Sequence, residues 1–202
     1  MNCSLIITTY NWKSALELAI LSVFNQSYLP VEIIIADDGS RNDTRDLIKN
    51  LSSKSPIPLI HSWQEDKGFR AAKVRNKAIA QAIGNYIIVI DGDMILHKDF
   101  VLDHYYFARR GYFVQGIRAK LNSQKAKEVF EKKQHIFKAF EKGIKNKRNS
   151  IRSSLLSYLF SGTRLLKRLD MIQTCNMAFF KNDCIRVNGF NEDFIGWGRE
   201  DS

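Results

Sequence analysis

The stretch Tyr86-Ile87-Ile88-Val89-Ile90-Asp91-Gly92-Asp93-Met94 decides the fold. A continuous apolar run, preceded by Gly84-Asn85, ends abruptly in two carboxylates separated by one glycine. An unbroken run of β-formers of this length predicts a strand buried on both faces, the pattern of a parallel sheet covered by helices. In open α/β sheets ligands sit at the carboxyl ends of the strands. Asp91 and Asp93, at i and i+2, share a direction if the chain stays extended. Gly92 between them leaves room for a ligand to approach the backbone. Two hard-oxygen donors there suit a Mn2+ or Mg2+ whose shell is completed by phosphate oxygens. Asp-Gly is equally a common turn dipeptide, and on this stretch alone both readings stand.

Working outward, the alternation continues on both sides. Cys3–Thr9 predicts a first strand entering Tyr10-Asn11, followed by a helix over residues 14–24. A second strand over residues 31–36 runs into Asp37-Asp38-Gly39-Ser40, and Asn42 or Asp43 is placed to cap a helix carrying Leu47, Ile48 and Leu51. Pro56 and Pro58 flank a short third strand through His61. A helix over residues 69–83 carries Ala72, Ile79 and Ile83 and is closed by Gly84 at C′. After the opening stretch come a helix over residues 99–110, a strand over 112–117 and, much later, a strand over 174–180. This is an α/β pattern with a mainly parallel sheet and right-handed crossovers. Three polar features lie where strands stop: Thr8-Thr9-Tyr10-Asn11, Asp37-Asp38 and Asp91-Gly92-Asp93. No Gly-x-Gly-x-x-Gly follows the first strand and no Walker A loop is present, which disfavours dinucleotide-binding and P-loop chemistry.

The 202 residues, 45% hydrophobic and 26% charged, fit a single globular domain over residues 1–202. No run of 18 apolar residues exists to span a membrane. The first residues enter a core strand without a signal peptide, so a cytoplasmic location is expected. Cys3, Cys175 and Cys184 have no metal-ligand spacing and are expected as buried free thiols. The net charge of +10 is concentrated. Residues 120–168 hold 14 Lys and Arg against three Glu, a balance of +11, leaving the rest of the chain at −1.

Within this basic insertion, residues 120–169, Ala126, Val129, Phe130, Ile136, Phe137 and Phe140 recur at roughly helical spacing. Asn149-Ser150 are placed to cap a second helix bearing Leu155, Leu156, Leu159, Leu165 and Leu166. Basic amphipathic helices suit an anionic membrane surface, here a peripheral seat on the inner face of the cell membrane. The bland alternative is a solvated helical hairpin over one sheet edge. The aromatic residues fit helix packing better than base stacking, so no nucleic-acid partner is expected.

The last stretch, Asn191 to Ser202, holds Gly196-Trp197-Gly198-Arg199-Glu200-Asp201, a tight loop whose acids could equally open a helix. With Thr8-Thr9-Tyr10-Asn11, Asp37-Asp38-Gly39-Ser40, Asp91-x-Asp93 and Gly68-Phe69-Arg70-Ala71-Ala72-x-x-Arg75-Asn76, it resembles family 2 glycosyltransferases of the GT-A fold. The set is similar to the bacterial chondroitin-polymerase and β-1,4-galactosyltransferase branch. The resemblance implies a UDP-sugar donor and a glycan or lipid-linked acceptor. Thr8, Tyr10, Asn11 and Asp38, assisted by Asp37, would hold the uridine, and Arg70, Arg75 and Asn76 the diphosphate or sugar. Asp91, Gly92 and Asp93 would serve the ribose side and a Mn2+ or Mg2+. Asp201 and Glu200 beside it would be the acidic pair in which one carboxylate serves as catalytic base, and Trp197, Gly198 and Asn176 would line the sugar and acceptor pocket. A carboxylate that deprotonates the acceptor opposite the leaving UDP gives single displacement with inversion and a β-glycoside.

Family members carry a histidine after the Glu-Asp pair that completes the metal site. The sequence stops at Ser202, which reads as a truncated C-terminus, and His61, His97, His104 and His135 do not match that position. His97 suits a helix start or the surface. A haloacid-dehalogenase-type phosphatase is disfavoured because its Asp pair follows the first strand, not the fourth. A nucleotidyltransferase is disfavoured because residues 8–12 hold no glycine. The remaining rival is a basic binding module on a degenerate catalytic fold.

Overall fold

The computed structural model describes residues 1–153, 155 and 173–193. Its elements run β1 (Cys3–Thr9), α1 (Lys13–Phe24), β2 (Glu32–Asp37), α2 (Asn42–Ser52), β3 (Leu59–Trp63), α3 (Ala71–Gln81), β4 (Tyr86–Asp91) and α4 (Phe100–Phe107). There follow β5 (Val114–Gln115), β6 (Lys120–Leu121), α5 (Ser123–Glu131), β7 (Ile144–Lys145), a 3-10 turn (Lys147–Ser150), β8 (Asn176–Phe180) and α6 (Lys181–Arg186).

Six strands form one sheet in the order β3-β2-β1-β4-β8-β5. The first four are mutually parallel, while β8 is antiparallel to both its neighbours. The chain steps outward from β1 to β2 to β3, then returns to the other side of β1 as β4. That reversal makes the carboxyl ends of β1 and β4 a topological switch point, where open sheets leave a crevice for ligands.

The opening stretch is the central strand it promised to be. Tyr86 to Ile90 are fully buried, and their alternation divides two cores. Tyr86, Ile88 and Ile90 join Leu16, Ile20, Ile48 and Val101 from α1, α2 and α4 on one face. Ile87 and Val89 join Val74, Ala78 and Ile79 of α3 and Met177 of β8 on the other. A strand apolar on both sides is thus explained by helices on both sides.

Several local expectations are corrected. Gly84 is not a left-handed helix terminator, since its φ is not positive. It is small because a Cβ would strike the Ser4 backbone and hydroxyl, and its N–H donates to Ser4 Oγ (2.9 Å). Helix α2 is preceded by Arg41 with no side-chain cap, and Asn42 and Asp43 lie inside it. The strand expected over 112–117 shrinks to two residues.

In the basic insertion Ser123–Glu131 is α-helical, capped by Asn122 Oδ1 accepting from the Lys125 N–H. Lys133 and Phe140 adopt positive φ, so Ile136, Phe137 and Phe140 lie on an irregular loop rather than a helix. Lys125 holds that loop together by donating to Gln134 Oε1 and pairing with Glu141 at 2.7 Å. The second helix expected after Ser150 falls largely outside the described residues. Cys3 and Cys175 are buried free thiols and Cys184 is a partly buried one. Burial pushes the Cys3 thiol up to about 12, which keeps it inert. Among the described residues, no helix is long and apolar enough to cross a membrane.

Candidate active site

The register of the sheet brings the three polar strand ends together. Thr8 pairs with Asp91 across β1 and β4, and Thr9 pairs with Asp37 across β1 and β2. Backbone bonds carry the pairing past the strands: Gly92 N–H donates to Thr8 O (2.7 Å), Asp38 N–H to Thr9 O (3.0 Å) and Gln64 N–H to Asp37 O (3.1 Å).

The Asp-Gly dipeptide makes both the turn and the carboxylate seat. Met94 N–H donates to Asp91 O (3.1 Å), closing a turn directly after β4. The chain is therefore not extended through Asp93. A Cβ on Gly92 would lie 2.9 Å from Thr8 O and 3.3 Å from the Thr9 Cβ. The missing side chain makes room for the neighbouring strand. Asp91 is one-third exposed, and its Oδ1 lies 3.6 Å from the buried guanidinium of Arg75. Arg75 Nε also donates to Thr8 Oγ1 (3.3 Å), so a single cation on α3 ties the ends of β1 and β4. Asp93 is exposed and makes no hydrogen bond or ion pair among the described residues.

Asp37 and Asp38 are buried and already engaged. Asp37 Oδ1 accepts from the Ser40 N–H (2.8 Å) and its Oδ2 meets His61 Nε2 at 2.8 Å. Burial alone would raise the Asp37 carboxyl, but the His61 and Ser40 bonds outweigh it and hold it below the ordinary value. Asp38 Oδ1 accepts from Gln64 Nε2 (2.5 Å), and its Oδ2 accepts from the Arg70 N–H (2.7 Å). These bonds fasten residues 64–70 against the end of β2. Gly39, at φ 99°, packs against the backbone of Asp66 and leaves no space for a Cβ.

Two loops complete the mouth. Asn11, itself left-handed at φ 48°, clasps the Asp37-Asp38 turn: its N–H donates to Ser40 Oγ (2.8 Å), and its Oδ1 accepts from the Arg41 N–H (3.0 Å). Tyr10 is half-exposed and donates its hydroxyl to Asp66 Oδ2 (2.9 Å), and that bond raises the phenol above its ordinary value. The Arg70 side chain donates to the Glu65 carbonyl, so in this structure it braces the same loop.

Two expected site residues lie apart from the strand ends. The Asn76 amide is consumed by the C-terminal loop, donating to Phe190 O (2.8 Å) and Glu192 Oε1 (3.0 Å) and accepting from the Phe190 N–H (2.9 Å). Asn176 opens β8 but is buried, and its Oδ1 accepts from His104 Nε2 at 2.8 Å. A Cβ on Gly116 would land inside that amide, so Asn176 is packed from both sides. Trp197, Gly198, Glu200 and Asp201 fall outside the described residues. His97 begins the turn before α4, its carbonyl accepting from Phe100 N–H, as a helix-start role requires.

His61, Gln64 and Asp66 are the residues sequence reading passed over. Each lies within or just after the third strand, on the edge where the first, second and fourth strands already gathered polar residues. That position was the available signal.

The site suits a hard divalent cation in part. Among the described residues Asp93 offers an unengaged carboxylate, and Asp91 a second one whose charge Arg75 partly offsets. Among the described residues no group of three or more His, Cys, Asp or Glu forms a closed cage. A pair of carboxylates suits Mn2+ or Mg2+, whose shell phosphate and water would complete.

A profile of the family described as Glycosyl transferase family 2 matches residues 4–183. Chondroitin synthase of Pasteurella multocida (strain Pm70) is 25% identical over 98% of this chain, which spans 22% of that protein. The Escherichia coli UDP-Glc:alpha-D-GlcNAc-diphosphoundecaprenol beta-1,3-glucosyltransferase WfaP is 38% identical over 45% of this chain and 34% of that protein. Among solved structures, the mannosyltransferase PcManGT from Pyrobaculum calidifontis, in complex with GDP-Man and Mn2+, matches at a TM-score of 0.62 with 16% identity, over 99% of this chain and 49% of that one. The chain spans less than half the length of each of these three proteins.

Proposed function

Because the chain belongs to glycosyl transferase family 2 and has the GT-A fold, we propose that it transfers a sugar from a UDP-sugar to a hydroxyl of a glycan or lipid-linked acceptor, with inversion, in surface polysaccharide or lipopolysaccharide synthesis. The observation that carries this is the Thr8–Asp91 pairing at the switch point, bridged by the buried Arg75 and flanked by the Asp37-Asp38 turn.

In this reading Tyr10 offers its ring face to the base, and Asn11 and Asp37 hold the turn that frames it. Each Asp38 oxygen keeps a second lone pair, enough to accept an N–H of the base beside its two protein donors. Asp91 orients the ribose side, and Asp93, unpartnered among the described residues, would hold Mn2+ or Mg2+ with the two phosphates. Such an ion, when bound, offsets the charge that builds on the departing diphosphate. Arg75 adds a fixed positive charge at the same strand ends, preorganised by Thr8 and Asp91. Arg70 and Asn76 hold the walls of the donor site through the 65–70 loop and the 190–192 loop. The acceptor hydroxyl must lose a proton, and Asp201, with Glu200 beside it, is assigned as the base near Trp197 and Gly198. The names of the relatives support both a UDP-sugar donor and a lipid-diphosphate acceptor. The basic insertion is assigned to an anionic membrane surface where such an acceptor lies.

The test is a screen of UDP-sugars and GDP-sugars, with Mn2+ present, following hydrolysis or transfer and reading the anomer by NMR. Turnover of a UDP-sugar with an inverted, β-configured product is expected. Preference for a GDP-sugar, or a retained anomer, contradicts the proposal.

A further inference from the structure

The outer face of α4 and the loop after it are aromatic where a surface helix is ordinarily polar. Val101 and His104 face the core, while Leu102, Tyr105 and Tyr106, at helical spacing, are 39%, 38% and 73% exposed. The stripe continues past the helix into Tyr112 and Phe113, 45% and 41% exposed, with Arg109 lying 4.7 Å over the Tyr112 ring. Tyr28, from the loop after α1, extends it sideways, its ring 5.5 Å from that of Tyr105. An exposed apolar patch of this kind marks an interaction surface.

The charges bordering the stripe favour one partner. Asp103 is held by a bidentate bond from Arg152 of the basic insertion, at 2.8 Å on each oxygen, and Arg152 also lies 3.3 Å from Asp99. Asp183 accepts from the Gly111 N–H (2.8 Å). Each nearby carboxylate is thus neutralised or engaged, while Arg109 and Arg110 stay exposed. Arg152 belongs to the segment that carries the protein's whole excess charge and ties that point of it to α4. A second copy of the chain fits poorly, since a symmetric contact would bring net charges of +10 and opposing arginines together. Tyrosines with an apolar body and polar tip, interleaved with arginine, suit the headgroup level of a bilayer.

We propose that the stripe formed by Leu102, Tyr105, Tyr106, Tyr112 and Phe113 seats in the headgroup region of an anionic membrane, with the Arg152-anchored basic segment supplying the electrostatic attraction. The stripe deepens the lipid-linked acceptor reading and depends on it for its purpose, but its binding is measured separately.

The test is co-sedimentation of the full chain with vesicles of equimolar phosphatidylglycerol and phosphatidylcholine, and with vesicles of phosphatidylcholine alone. UDP affinity is measured on the same samples by calorimetry. Wild type is expected on anionic vesicles only, and added salt is expected to weaken it. The double variant Tyr106→Ser/Tyr112→Ser, both positions exposed, is expected to bind anionic vesicles about tenfold more weakly with UDP affinity unchanged. Equal binding by variant and wild type, equal binding to both vesicle types, or a wild-type dimer that Tyr106→Ser dissociates would each overturn the proposal. A chain that binds UDP but no vesicle overturns this inference alone. One that binds anionic vesicles through the stripe but no UDP supports it and overturns the transferase reading.

Discussion

His104, in α4, is buried, and its chemistry follows from that burial. Burial disfavours its charged form and lowers its pKa to about 4, against weaker raising effects of the Asn176 bond and nearby Asp103. Its Nε2–H is committed to Asn176, and its Nδ1 is buried without a partner among the described residues. The unfolded chain binds a proton here below an ordinary value of 6.5, and the folded protein does so only below about 4. Stability is therefore lost as pH falls through that window, by about 3 kcal/mol for a shift of this size. Denaturant unfolding of wild type between those pH values is expected to show the loss. His104→Gln, which keeps a donor for Asn176 but does not titrate, is expected to remove most of it; an unchanged slope would contradict the assignment. Neither His104 nor the wiring of Asp37, Asp38 and Asn76 was legible in the sequence. Residue types at strand ends showed where polar groups gather, but not which of their atoms are already spent on the protein.

At the scale of the element, the turn after β4 does the positioning. Gly92 lets the chain fold back against Thr8 and Thr9, so Asp91 stays in register with β1 while Asp93 leaves the sheet. Gly92→Ala puts a methyl 2.9 Å from Thr8 O and 3.3 Å from the Thr9 Cβ, contacts relieved only by moving strand ends. A loss of about 1–3 kcal/mol of stability is expected, the usual range for overpacking, together with weaker UDP binding. Denaturant unfolding and calorimetry on the one variant check both, and wild-type stability would show that the strand ends yield freely. The core strands were legible because an unbroken apolar run has few other fates in an α/β protein. The insertion was not. Its apolar residues keep helical spacing as far as Phe140, but positive φ at Lys133 and Phe140 breaks the helix, and the Lys125 ion pair with Glu141 closes the loop instead. That loop is held by a contact sixteen residues apart in sequence, which local spacing cannot reveal.

At the scale of the whole molecule, function depends on the sheet order. Thr8, Asp37 and Asp91 are distant in sequence and adjacent only because β1 lies between β2 and β4. Alternation of strands and helices was enough to anticipate a parallel sheet, and polar strand ends were enough to anticipate one reactive edge. The exposed aromatic stripe on α4 was invisible to that reading, since its residues were counted simply as helix. The central claim is that this edge binds a UDP-sugar through Asp93 and a divalent cation. Calorimetric titration of UDP, with and without Mn2+, into wild type and Asp93→Ala tests it most directly. Wild-type affinity is expected to rise about tenfold or more with Mn2+, with no such rise in Asp93→Ala, whose fold is intact because that carboxylate is exposed and unpartnered among the described residues. A wild type indifferent to Mn2+, or an Asp93→Ala variant that keeps the full metal-dependent gain, would contradict it.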